Sequence, residues 1–533
     1  MMTGESSRRG FLQLAGAALA SRGVGVRESA QPQDSPTAAA SAFNVRSFGA
    51  AGDGRTLDTN SVNKAIEAAA ASGGTVYFPG GKYLCHSIHL KSNVALYLDR
   101  GATIVAADPP APGLSGPAYD GAEPNSWDHF QDFGHSHWHN SLIWGEGLEN
   151  ISILGPGLIW GKGLSRGWGA GPKAETPGVG NKTISLKNCR NVTLRDFSIL
   201  HGGHFGILAT GVDNLTIDNL MIDTNRDGID VDCCRNVRIS NCSVNSPWDD
   251  GICLKSSFGL GYARATEGVT ITNCYVSGDF QEGTLLDGTW KRFDANDKVF
   301  RTGRIKFGTE SNGGFKNIAI SNCVFESCQG LALETVDGGL LEDVAITNIT
   351  MREIASAPIF MRLGSRMRGP SGVPIGELRR VRISNVVCSN SVSRFGSIIS
   401  GIPDHPIEDI ELSDIYIQHR GGGTQTDAAI VPAERENTYP EPDMFGTMPS
   451  HGFYIRHVKG LEMSHVEIEA MAAEARPAFV LSDVKSTDLL RIRAPQTTAG
   501  VPTFTLKSVD DFNLYLSRPV ADTHLDHAEQ KNL

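Results

Sequence analysis

NLTIDNLMIDTNRDGIDVDCCRNVRISNCSV, residues 214–244, holds one nine-residue phrase twice: NLTIDNLMI at Asn214 and NVRISNCSV at Asn236. Upstream the phrase returns as NISILG at Asn150 and NVTLRDFSI at Asn191. Downstream it returns as GVTITNCYV at Gly268, NIAISNCVF at Asn317, DVAITNITM at Asp343, RVRISNVVC at Arg380, DIELSDIYI at Asp409 and GLEMSHVEI at Gly460. Each unit alternates apolar and polar residues, the period of a strand, around a central residue that is often Asn. That residue marks a bend where a side-chain amide can hydrogen-bond backbone. The shortest intervals match one coil of a parallel β-helix, and longer ones imply loops inserted into a coil. One coil cannot bury its own inward face. Stacking coils about 4.8 Å apart satisfies the backbone and builds a continuous Val, Ile and Leu core. The expected fold is therefore all-β, a single-stranded parallel β-helix. TNSVNKAIEAAAASGG, Thr59 to Gly74, is an amphipathic Ala-rich run ending in Gly73–Gly74, and reads as an N-terminal capping helix. A β-sandwich is the alternative, but regular hairpin turns are missing.

The chain has 533 residues, a length that a repeat architecture can fill as one unit. Its 60 glycines exceed the usual share of about 7% and favour many tight turns. Net charge is −11 with no basic stripe, which argues against a nucleic-acid partner. A local Arg and Lys cluster could still dominate a cleft and accept an anionic substrate. SSRRGFLQLAGAALASRG carries Arg8–Arg9 ahead of a short apolar run, and resembles a twin-arginine export signal. Residues 1–41 are thus expected to be a signal and linker, and 42–533 a β-helix catalytic domain with inserted loops at 278–303 and 421–452. A periplasmic or secreted monomer is expected, with no membrane association after export. The ten cysteines show no metal-ligand spacing. Cys189, Cys242, Cys274 and Cys323 recur within the repeat and suit a stacked interior as unpaired thiols. The alternative is pairing of Cys233 with Cys234 and of Cys323 with Cys328.

The repeat also stacks acids. Asp227 precedes Asp249 by 22 residues and Asp250 by 23. Neighbouring coils bring such residues side by side, and paired carboxylates are what glycoside hydrolysis needs. Side chains splayed from adjacent coils can reach the roughly 6.5–9.5 Å of an inverting pair. Clustered charge keeps one acid protonated while its neighbour stays ionised. In a regular strand Asp249 and Asp250 would point to opposite faces. Both serve one cleft only if the backbone turns there, as the preceding SPW suggests. The competing reading is that these residues cap turns.

FNVRSFGAAGDGRTLDTNSVNKAIEAAAASGGTVYFPGGKY, GPGLIWGKG, NRDGIDVDCCRNVRISNC and SPWDDGICLKS together resemble the polygalacturonase family of glycoside hydrolases, family 28, from about Phe43 to Arg362. The resemblance implies a right-handed, pectin-lyase-like parallel β-helix and hydrolysis with inversion. The family's N-T-D element matches Asn225–Arg226–Asp227, with Arg in place of Thr, and its D-D element matches Asp249–Asp250. By resemblance Asp249 is the general acid, and Asp227 with Asp250 holds and deprotonates the attacking water. No cofactor or metal is required.

The chain departs from the family further on. No G-H-G follows Asp250. A literal RIK occurs at Arg304–Ile305–Lys306, yet RIKFGTESNGGFKNI looks like the coil that normally follows G-H-G. That alignment, the preferred one, puts Thr302–Gly303–Arg304 at the histidine element and Gly330–Glu334 where R-I-K belongs. Arg304 and Lys306 would then supply positive charge from elsewhere, and Glu334 would accept hydrogen bonds from sugar hydroxyls. This leaves room for rhamnose-containing pectic substrates. Asn225, His204, Lys255 and Arg362 are further candidate substrate contacts. Trp248 either stacks on a sugar face or packs a turn. HSHWH, with His135, His137 and His139 at period two, lacks the further ligands of a metal site.

The expected activity is hydrolysis of pectic poly- or oligosaccharide, of galacturonan or rhamnogalacturonan type. If loops 278–303 and 421–452 wall one end of the cleft, action is exo. A polysaccharide lyase on the same scaffold and a non-catalytic carbohydrate-binding β-helix are the alternatives.

Overall fold

The computed structural model describes residues 42–533 except 112–114, 168–170, 283 and 295; the signal and linker expected at 1–41 lie outside the described residues. Thirty-four strands join in one sheet that winds as a parallel β-helix. One wall stacks Lys182–Lys187, Phe205–Thr210, Asp227–Asp232, Ile252–Ser256, Ile305–Ser311, Leu331–Thr335 and Ile359–Leu363, each parallel to the next. A second wall stacks Arg190–Arg195, Asp213–Asp218, Arg235–Ser240 and Thr266–Thr272. A third stacks Ser198–Leu200, Met221–Asp223, Ser243–Asn245 and Tyr275–Ser277. From Phe315 onward the second and third walls fuse into long strands such as Phe315–Glu326 and Leu340–Arg352. Antiparallel strand pairs among the described residues are confined to Phe280–Glu282 with Lys291–Arg292 and to the C-terminal pair Phe504–Tyr515 with Thr523–Asn532. That excludes the sandwich.

Alternation sends every second side chain inward. Ile207, Ile229, Ile252 and Ile305 lie in register and are wholly buried. Each such side chain contributes roughly 1.5–3 kcal/mol of burial. The asparagines do something other than cap backbone. Asn150, Asn191, Asn214 and Asn236 all take left-handed φ values of 54–58°. Each amide donates to the carbonyl oxygen of the Asn one coil before, at 2.6–3.0 Å, starting from Asn93. Asn tolerates the left-handed bend, and a stack of identical amides satisfies itself. The ten cysteines are buried free thiols. Those of Cys242, Cys274 and Cys323 donate to the carbonyl two residues back.

The N-terminal cap is the α-helix Thr59–Ala70, which buries Val62, Ala65, Ile66 and Ala69 over the first coil. It stops short of the expected glycines. Gly73, at φ +71°, instead turns the chain so that Gly74 N donates to Asn93 O at 3.2 Å and enters the sheet.

Candidate active site

Asp227 opens the strand Asp227–Asp232, while Asp249 and Asp250 sit in the bend between Ser243–Asn245 and Ile252–Ser256. The bend turns both side chains to one place. One oxygen from each of the three carboxylates lies within 4.8 Å of the others. This is closer than the roughly 6.5–9.5 Å expected of an inverting pair. Glycine makes the approach possible: a Cβ on Gly228 would stand 2.5 Å from Gly251 O. Asp227 and Asp250 therefore each precede a glycine, Gly228 and Gly251, that lets successive coils close up.

Three carboxylates at this range cannot all ionise freely. Burial, joined by the charges of Asp230 and Asp249, pushes Asp227 well above the usual carboxylate range. Burial also favours the neutral form of Asp250, but Lys306 and Arg304 outweigh it and hold Asp250 below its ordinary value. Arg304 Nε reaches Asp250 Oδ1 at 2.9 Å, and Lys306 Nζ reaches Oδ2 at 3.5 Å. Asp249, the most exposed of the three, receives Arg226 Nη2 at 2.8 Å and Nε at 3.1 Å. Arg226, standing where the family usually has Thr, is thus a site residue in its own right.

Above the acids opens a cavity of about 520 Å³ lined by Asp249, Asp250, Trp248, Arg304, Lys306 and Tyr439, among others. The strand Ile305–Ser311 follows Ile252–Ser256 directly, with Ile305 against Ile252, and Leu331–Thr335 comes one coil later. The register therefore sets Arg304 one coil after Asp250, and Glu334 in the coil beyond.

The other sequence candidates stand elsewhere. Glu334 is wholly buried beneath Gly308, so it meets no sugar hydroxyl; its carboxylate lies 3.6 Å from Lys306 Nζ. Burial pushes it up to about 8, with Glu441 and Asp250 adding to the effect against Lys306 and Arg304. Lys255 is buried one layer down, between Glu310 at 3.3 Å and Asp230 at 3.7 Å. Arg362 is also buried and donates to Ser400 Oγ at 2.8 Å and to Glu434 O at 2.8 Å, so it anchors loop 421–452 rather than facing the cleft. His204 stacks on Phe205 and comes within 4.0 Å of Asp227; burial, with Arg226 nearby, keeps it well below the ordinary imidazole range and hence neutral. Asn225 acts through its backbone, accepting Trp248 N at 3.1 Å. The HSHWH histidines disperse to separate partners: His135 to Asp230, His137 to Phe133 O and His139 to Glu146.

Both inserted loops reach the cavity. From 278–303, Phe300 lines it, and Phe293 and Phe300 hold the Trp248 ring edge-on at 6.1 and 5.8 Å. From 421–452 come Tyr439, Glu441, Pro442 and Asp443. Glu441 pairs with both Arg304 and Lys306. Sequence reasoning missed Glu441 because the loop lies outside the repeat, and only the coil period tells where a residue falls.

Residues 128–279, the coils that carry all three acids, match the profile described as "Glycosyl hydrolases family 28". Over those coils the chain is similar to glycoside hydrolase family 28. Residues 42–114 match a second profile, "Rhamnogalacturonase A/epimerase, pectate lyase-like". The chain is 24% identical to a probable polygalacturonase of Vitis vinifera over 438 residues, covering 76% of this chain and 80% of that one. It is 23% identical to an exo-poly-alpha-D-galacturonosidase of Dickeya chrysanthemi, covering 61% of this chain and 58% of the other. In fold it is similar to the family 28 exopolygalacturonase of Yersinia enterocolitica, at a TM-score of 0.59 and 18% identity over 84% of this chain and 77% of that one. A pectin-degrading glycoside hydrolase on a right-handed parallel β-helix is the family-level reading.

Proposed function

We propose that this chain is a family 28 glycoside hydrolase, an exo-acting, inverting hydrolase of pectic oligosaccharides. The observation that carries the reading is the gathering of Asp227, Asp249 and Asp250 under a cavity whose walls are two inserted loops. An open groove along the coils would pass a polymer through. Here loop 421–452 buries the outward face of the later coils, with Phe445 and Met448 packed on Phe360, Ile398 and Tyr454. A blocked cleft takes a chain end.

In the proposed reaction the bond from the anomeric carbon to the glycosidic oxygen breaks, and that oxygen takes a proton from Asp249. A water held by Asp227 and Asp250 attacks the anomeric carbon from the opposite face and loses its proton to the acid cluster. The resting proton of the free protein sits on buried Asp227; its passage to Asp249 as substrate binds leaves one acid and two bases, the distribution hydrolysis needs. Inversion here rests on the family resemblance, because the carboxylate spacing is tighter than the usual inverting range. The Arg8–Arg9 leader supports export through the twin-arginine route, to the periplasm or beyond.

Product analysis on pectic oligosaccharides tests the reading. Monosaccharide is expected from the first time point, with the inverted anomer formed first. Early loss of polymer viscosity without monosaccharide would end the exo proposal. An unsaturated, ultraviolet-absorbing product would replace hydrolysis by elimination.

A further inference from the structure

Arg304 and Lys306 are the two cations that Asp250 faces, and the chain itself has matched both. Glu441 sets its two oxygens on the Arg304 guanidinium, Oε2 at 3.0 Å from Nη1 and Oε1 on Nη2, and lies 3.4 Å from Lys306 Nζ. Asp250 takes the remaining side of the same pair. Glu334 adds a third acid next to Lys306. The fork of Arg304 on Glu441 is the geometry in which a guanidinium receives a carboxylate ligand. The protein's own carboxylate occupies the place a uronate would need.

This carboxylate is not carried on a loose flap. Loop 421–452 is fastened by Arg362 Nη2 to Glu434 O and by Arg456 Nη1 to Pro432 O, both at 2.8 Å, and by Arg476 Nη1 to Met448 O at 3.2 Å. The loop's own Phe445 and Met448 are buried against Phe360, Ile398 and Tyr454. A galacturonosyl unit entering here meets a fixed like charge, a repulsive element that discriminates as effectively as an attractive one. An uncharged sugar meets the same groups as ordinary hydrogen-bond partners. Tyr439, Trp248 and Phe395 around the cavity offer it apolar faces.

We propose that Glu441 is a specificity-determining residue that reserves the Arg304–Lys306 subsite for an uncharged pectic sugar and turns away a uronate there. This rests on the hydrolase reading of the same cleft. Galactose and galacturonate are the probes, since they differ only in the group at C6. Their binding is measured by calorimetry on the full protein and on Glu441→Gln and Glu441→Ala, each checked for an unchanged melting curve, beside turnover of the matching aryl glycosides. Wild type is expected to bind galactose more tightly than galacturonate. Both variants should gain galacturonate affinity by about tenfold, as expected from removing a like charge, and gain nothing toward galactose. A wild type that prefers galacturonate and loses it in Glu441→Gln would overturn the proposal. If the binding shifts appear but no glycoside is cleaved, the specificity stands and the hydrolase reading falls.

Discussion

The bend side of the stack and its cleft side are built from the same coils under opposite rules. At the bends one residue recurs: Asn150, Asn191, Asn214 and Asn236 are exposed, neutral and bonded each to the last. On the cleft side nothing recurs. Asp232 stands against Lys255, and Asp230 lies in register with Cys253, then Lys306. The charged groups here are almost wholly buried. Taking such groups out of water costs several kcal/mol per ion, and pairing offsets that only when the geometry is good. Asp227 Oδ1, both oxygens of Asp230 and both of Glu334 lack a hydrogen-bond partner among the described residues. A stack held together for stability alone has no use for that arrangement. What repeats serves the fold, and the chemistry proposed above falls where buried charge breaks the repeat.

The largest break in this comparison is expected at Asp249. Asp249→Asn keeps the size and the bend but removes the proton donor, so turnover should fall by about 10²–10⁴-fold, the usual contribution of general acid–base catalysis. Steady-state rates beside a thermal melt check it. Retention of more than a tenth of wild-type turnover would show that the acids cap a turn and do no chemistry.

The two sides also differ in how much of them could be read in advance. The bend side and core were legible because period two and the coil interval are written directly in residues such as those of NLTIDNLMI. Asp227, Asp249 and Asp250 were legible because they ride on that interval. The partition of the basic candidates was not. Arg304, Lys306, Lys255 and Arg362 share a residue class, lie on or next to strands of the repeat and are all nearly wholly buried, yet the first two line the cavity, whereas Lys255 pairs with Asp230 and Glu310 and Arg362 is tied to loop 421–452. Which residues border the cavity depends on where long insertions come to rest. The same limit hid Glu441, and it misdirected Glu334, whose strand position was right but whose carboxylate is roofed by Gly308.

Glu334 gives the next effect in size. Its folded-state value of about 8 lies above its ordinary 4.5, so the folded protein holds a proton that the unfolded chain releases. Stability from this group is complete below about pH 4.5 and is lost as pH rises through about 8. Glu334→Gln, which imitates the protonated acid, should match wild type in melting temperature at pH 4.5 and exceed it at pH 8. Equal melting curves at both pH values would mean that the Lys306 charge already keeps Glu334 ionised.

The smallest effect should come from the bends, and it sharpens the comparison best. Asn214 donates to Asn191 at 2.9 Å and accepts from Asn236 at 2.6 Å, at φ +58°. Asn214→Gly keeps the left-handed bend without strain and loses only the two amide contacts, each worth about 0.5–1.5 kcal/mol net where water is excluded and less at an exposed site. Asn214→Ala adds a conformational cost of roughly 1–2 kcal/mol. Denaturant unfolding should therefore rank wild type above Gly and Gly above Ala, while turnover stays at the wild-type level in both. If Asn214→Ala instead lowered turnover as Asp249→Asn does, bends and cleft would be one mechanical unit, and the division between repeated and unrepeated residues would lose its meaning.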